Sequence, residues 1–187
     1  ERLQAEGALE SAIARASHLA RQLLALASLD DSRSTPMQRM DLAHMLQTML
    51  AQAMPLARQR GIELSLDAPE SLSLDSDMPA LQSIVMNLID NAVRYGREGG
   101  QLAVTLQNSP DHITLIVADD GPGIPETERT HIFERFVRGL GQDSPGSGLG
   151  LAIVKQAVQR LRGSVQIETG LDGRGVAFVV WIPSWRG

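Results

Sequence analysis

Two runs of alternating apolar and polar residues, Gln101 to Gln107 and His112 to Asp119, stand four residues apart, joined by Asn108-Ser109-Pro110-Asp111. Period-two alternation on both sides of a turn-forming tetrapeptide predicts a β-hairpin. Further strands are expected where Ile62, Leu64 and Leu66 alternate with Glu63 and Ser65, at Leu72 to Leu74 after Pro69, and at Ser164 to Thr169 and Val176 to Ile182 around the turn Gly170-Leu171-Asp172-Gly173. Helical spacing occurs over Met40 to Arg60, where Leu42, Met45, Leu46, Met49, Ala53 and Leu56 recur and Gly61 stands at the end. A long helix is expected from about Pro79 to Tyr95 with Asp77 as its cap, and another from Leu151 to Leu161. Asp120 to Gly150 reads mostly as turn and loop, with a short helical patch at Glu126 to Phe136.

The first thirty residues form a different unit. Leu9, Ile13, Ala16, Ala20, Leu23 and Ala27 are spaced 4, 3, 4, 3, 4, with Leu19, Leu24 and Leu26 widening the stripe. Such a helix either seeks partner helices or packs on its own domain. Asp30-Asp31-Ser32-Arg33-Ser34-Thr35-Pro36 is polar and ends in proline, so it breaks the helix. The chain is therefore read as a helical segment 1–31, a linker 32–39 and a domain 40–187, a length that suits one full domain with a short appended element.

Composition removes several function classes. Hydrophobic residues at 43% and charged residues at 21% are ordinary for a globular protein, and no apolar run approaches the ~20 residues of a spanning helix. There are no cysteines, and His18, His44, His112 and His131 are too scattered for a zinc motif. A net charge of −5 and 3% aromatic residues speak against nucleic acid as a partner.

Three constellations carry chemistry. On the helix ending at Tyr95, Leu81, Ile84, Val85, Leu88, Ile89 and Ala92 share an apolar arc, and Asn87, Asn91 and Arg94 line its edge. Amide oxygens suit a hard cation and a guanidinium suits phosphate, so the trio fits a metal-triphosphate, although solvated positions beside a core stripe look the same. Asp119-Asp120-Gly121-Pro122-Gly123-Ile124 holds a carboxylate at a strand end, where Asp119 matches the amine of an adenine but also fits a tight turn. Gly146-Ser147-Gly148-Leu149-Gly150-Leu151 leads into a helix and makes an anion cradle or a plain helix start. It lacks the third glycine of the dinucleotide fingerprint, and Ser147 stands where the Walker loop needs lysine.

In this order the segments resemble the ATP-binding catalytic domain of bacterial sensor histidine kinases, in the superfamily shared with DNA gyrase, Hsp90 and MutL. Asn87 to Tyr95 looks like the N box, Asp119 to Ile124 like the first glycine box, Ile132-Phe133-Glu134-Arg135-Phe136 like the F box, and Gly146 to Leu151 like the second glycine box, within a match from about Met40 to Trp185. The resemblance implies an α+β fold, a two-layer α/β sandwich of the Bergerat type with a mixed sheet, preceded by a helix of the dimerisation hairpin. It implies ATP and Mg2+ as ligands, with Asn87 holding the metal, Asn91 and Arg94 the phosphates, Asp119 the adenine amine, and Gly148 and Gly150 a phosphate-facing hinge. Tyr95, Gly121, Gly123, Ile124, Arg138, Gly146, Ser147, Leu149 and Leu151 complete the expected nucleotide site, under a mobile lid at Arg138 to Pro145.

The superfamily's hydrolases carry a glutamate four residues before the first asparagine; here that residue is Ser83, a poor base, which favours a protein-histidine kinase over a gyrase-like ATPase. A module that has lost nucleotide binding is the third reading. His18, in Ser17-His18-Leu19-Ala20-Arg21, lacks the context of the phosphorylated histidine, so the acceptor is expected outside this chain. The resemblance further implies a response regulator reached through that missing phosphohistidine, the dimerisation domain of the same protein, a possible homodimer through residues 1–31, and a place in the cytoplasmic portion of a bacterial inner-membrane protein, the fragment itself being soluble.

Overall fold

The structure is a computed structural model in which residues 2–30, 36–137 and 147–184 are described. The elements are α1 (Arg2–Asp30), β1 (Gln38–Asp41), α2 (Leu42–Gln59), β2 (Glu63–Asp67), β3 (Ser73–Ser76), α3 (Met78–Tyr95), β4 (Gln101–Asn108), β5 (His112–Asp119), α4 (Glu126–Arg129), α5 (Gly150–Arg160), β6 (Ser164–Thr169) and β7 (Val176–Pro183). Five strands form a mixed sheet in the order β2-β4-β5-β7-β6, in which only β2 and β4 run parallel.

The hairpin expected from the alternation is present as β4 and β5, with Val104 opposite Val117 and Leu106 opposite Leu115. Their side chains join Phe178, Val180 and Ile182 of β7 in one core with the buried faces of α2, α3 and α5. This makes two layers, helices on sheet. Because side chains alternate along a strand, the face that carries Ile113, Leu115 and Val117 into the core also carries Asp119, opposite Leu102, at the strand's end.

Two differences from the sequence reading have local causes. Gln38 and Arg39, read as linker, belong to β1, which pairs antiparallel with β3; Met40 is buried there, and Asp41 ends the strand by capping α2 through the amide of His44. Helix α2 therefore starts at Leu42 rather than Met40. The helical patch at 126–136 shortens to α4, after which the chain turns and Phe136 takes a positive φ of 66°.

Helix α3 is held at both ends. Asp77 accepts from the Ala80 amide at 3.1 Å and Pro79 sits in the first turn, where its missing N–H costs nothing. At the other end the Arg60 guanidinium donates to the carbonyls of Val93, Arg94 and Gly96. These carbonyls have no partner inside the helix, so a cation beside them also meets the negative end of the helix dipole.

Candidate functional site

The C-terminal half of α3, the end of β5 and the start of α5 meet at one edge of the sandwich. Asp119 is 6% exposed, and its Oδ1 accepts from the Gly121 amide at 2.8 Å. Burial pushes its carboxyl above the usual carboxylate range; amides of Gly121 and Val176 oppose that push, and the charge of Asp120 adds to it. A carboxylate kept this dry is poised to accept a proton donor from a ligand. Its neighbour has a different task. Asp120 accepts from the Gln101 amide at 2.8 Å and from Arg97 Nε at 2.8 Å. Burial acts to raise this carboxyl too, but the Arg97 guanidinium and the Gln101 amide outweigh it and hold the group below the usual range.

On α3, Asn87 Nδ2 donates to the Ser83 carbonyl at 2.7 Å, which turns Oδ1 away from the helix. That oxygen faces the first residue of α5: a Cβ on Gly150 would lie 3.2 Å from it, so glycine leaves it uncrowded from that side. Asn91 and Tyr95 follow on the same helix, both half-buried. Arg94 Nε lies 2.8 Å from both oxygens of Asp90, an i,i+4 pair that aims the guanidinium along the helix. Ser83 Oγ donates back to the Pro79 carbonyl at 2.8 Å.

The segment before α5 is shaped by contact with the chain around Phe136. The Phe136 amide donates to the Gly148 carbonyl at 2.9 Å, and Gly148 has φ +70° with backbone of Phe136 and Val137 where a Cβ would stand. Only glycine fits there. Ser147 Oγ accepts from the Leu149 amide at 3.2 Å. Leu149 is fully buried against Leu26 and Ile153, and Leu151 packs on the main core, so what these two present to the site is backbone. Among the described residues, no side-chain cap bond is made at the start of α5. Gly123 lies against the Gly175 carbonyl and Ile124 against the core. Arg138 and Gly146, and the expected lid at 138–145, lie outside the described residues.

Residues 76–186 match the family model described as Histidine kinase-, DNA gyrase B-, and HSP90-like ATPase. The chain belongs to this family. Among solved structures, the mycobacterial sensor histidine kinase MprB superposes with a TM-score of 0.70 at 33% identity, covering 80% of this chain and 100% of that one. The full-length histidine kinase ShkA in complex with AMPPNP gives a TM-score of 0.78 at 29% identity, over 91% of this chain and 36% of that one. The swarming motility regulation sensor protein RssA of Serratia marcescens is 34% identical over 98% of this chain, and the chain spans 39% of its length. Within the histidine kinase-like ATPase family, the chain is thus a catalytic ATP-binding domain of the sensor histidine kinase kind. Among the described residues, no helix is long and apolar enough to cross a membrane.

Several polar residues that line this ATPase domain's site or brace its helices carry no motif and escaped the sequence reading. Gln22 of α1, 8% exposed, reaches between Asn87 and Ser147; Arg97 anchors Asp120; Arg60 caps α3; Arg160 joins α5 to Asp77 at 2.6 Å. Arg97, Arg60 and Arg160 belong to no motif, each with another arginine two or three residues away, and Gln22 lies among apolar residues of α1. The contact between Gln22 and Ser147 spans 125 positions, and no local spacing announces it.

Proposed function

We infer that this domain binds Mg-ATP between α3, the end of β5 and the start of α5, and passes the γ-phosphoryl group to a histidine outside the chain. The observation that carries the reading is Asp119: a buried carboxylate, fixed by the Gly121 amide on the helix-facing side of the sheet, accepts from an adenine amine and rejects the oxygen that guanine presents there. Asn87 would hold the metal through Oδ1, with Asn91 and Arg94 on the phosphates and the glycine-flanked start of α5 supplying amides. Tyr95, Gly121, Gly123, Ile124, Ser147, Leu149 and Leu151, with Arg138 and Gly146, would complete the pocket.

The donor set supports magnesium in this form. Among the described residues no three His, Asp or Glu side chains gather as a protein-only metal site. Mg2+ binds through few protein oxygens when it shares its shell with water and substrate phosphates, and one outward amide oxygen suits that. When bound, Mg2+ neutralises phosphate charge. The chain's own contribution is to orient: the Ser83 carbonyl holds the carboxamide of Asn87, and α3 sets the spacing of Asn87, Asn91 and Arg94. The Ser83 hydroxyl is committed to Pro79 and is no base for water, which favours transfer over hydrolysis.

As the chain spans 39% of RssA, the acceptor histidine, a response regulator, a dimerisation domain of which residues 1–31 are part, and an inner-membrane anchor belong to this same inference about a longer protein. Calorimetric titration with Mg-ATP tests the core of it. Saturable heat without continuing turnover is expected; sustained heat would favour an ATPase, and no heat would overturn nucleotide binding.

A further inference from the structure

Helix α1 does more than precede the domain. Its Gln22 carboxamide lies at the metal and phosphate end of the site inferred above, in an unbroken polar chain. The Leu149 amide donates to Ser147 Oγ at 3.2 Å, Ser147 Oγ donates to Gln22 Oε1 at 2.5 Å, and Gln22 Nε2 donates to Asn87 Oδ1 at 3.5 Å. Asn87 Nδ2 completes the chain on the Ser83 carbonyl. Gln22 Nε2 also lies 3.7 Å from where a Cβ on Gly150 would stand.

We propose that Gln22 is an internal plug, which fills the Asn87–Ser147 gap while α1 is docked and must withdraw for Mg-nucleotide to load. The chemistry is a direct conflict. An amide N–H aimed at Asn87 Oδ1 puts positive charge where a cation needs the oxygen's lone pair, and the carboxamide takes the space at the start of α5 that a phosphate would approach. Docking is held by more than the plug: Leu26 packs on Leu149 and Ile153, and Arg160 reaches the Ser28 and Leu29 carbonyls at 3.4 Å. Nucleotide affinity is then reduced by the fraction of molecules with α1 docked, and nucleotide in turn drives α1 off by the same factor. The plug rests on the nucleotide reading of the site.

The test compares wild type, Gln22→Ala and Leu26→Ala for binding of a non-hydrolysable Mg-ATP analogue by calorimetry, alongside hydrogen exchange of α1 amides with and without the analogue. Gln22→Ala is expected to bind about two- to tenfold more tightly, the range set by the net worth of one modest hydrogen bond. Leu26→Ala, which removes no hydrogen bond of the polar chain, shifts affinity in the same direction, and the analogue speeds exchange around Gln22 in wild type. Equal or weaker binding by Gln22→Ala, with wild type binding normally, overturns the plug alone. Absence of binding by all three proteins overturns the nucleotide reading and the plug with it.

Discussion

Adjacent carboxylates at the end of β5 show how position divides labour between identical groups. Asp120 spends its charge on Arg97 and the Gln101 amide, and its lowered pKa means that its contribution to stability is present above the unfolded pKa and lost as pH falls through the folded one. Asp119 runs the other way. Its pKa is raised, so protonation favours the fold, and the linked stability present below the unfolded pKa is lost as pH rises through the folded one. Burial works against the charged form of Asp119, as expected of a group kept for a ligand. Asp119→Asn is therefore predicted to be at least as stable as wild type at pH 7 in thermal melts. Its Oδ1 can still accept from Gly121, which leaves an amide donor facing the adenine amine, so affinity for Mg-ATP is predicted to fall about tenfold or more by calorimetry. As pH falls toward the raised pKa, wild-type affinity approaches that of the variant; a gap that stays constant with pH would exclude Asp119 as the titrating acceptor.

At the scale of elements, what was legible in the sequence is what periodicity encodes. The alternation of β4 and β5 and the arc of α3 give both the elements and the faces that bear Asp119, Asn87, Asn91 and Arg94. Strand β1 was not legible because Gln38-Arg39-Met40-Asp41 has one apolar residue; its pairing with β3 makes it a strand. Helix α1 shows the other limit. The 4-3 spacing marks a stripe, but the face turned to the domain holds Gln22, Leu26 and Leu29, while Ile13 and Leu23 of the stripe are exposed. An arc this broadly apolar does not specify which side a distant element will take. The cap on α3 belongs to this scale too. Arg60→Ala strands three carbonyls at the end of the helix that carries the amide row, and is predicted to lower unfolding free energy by about 1.5–3 kcal/mol in urea titrations. A loss below about 0.5 kcal/mol would show that water replaces the cap.

For the molecule as a whole, the unfinished surface is the outer side of α1. Ile13, Leu23 and Leu24 are 58%, 48% and 68% exposed, large apolar side chains that lie off the face the helix uses for docking. Exposed apolar side chains on such a helix suit pairing with a second copy. Sedimentation over a concentration series is predicted to show reversible dimers, and Leu24→Lys to leave monomers at every concentration; wild-type monomers throughout would refute the pairing. Arg160 gives the arrangement a mechanical character. It grips α1 by the Ser28 and Leu29 carbonyls, while Gln22 stands seven residues away, about 10 Å along the axis. The helix is a lever with its fulcrum at Arg160, and a tilt of about 10° carries Gln22 through about 2 Å. That stroke exceeds the slack in a hydrogen bond, so a force that leans on the far end of α1 would part Gln22 from Asn87 as the first step of undocking.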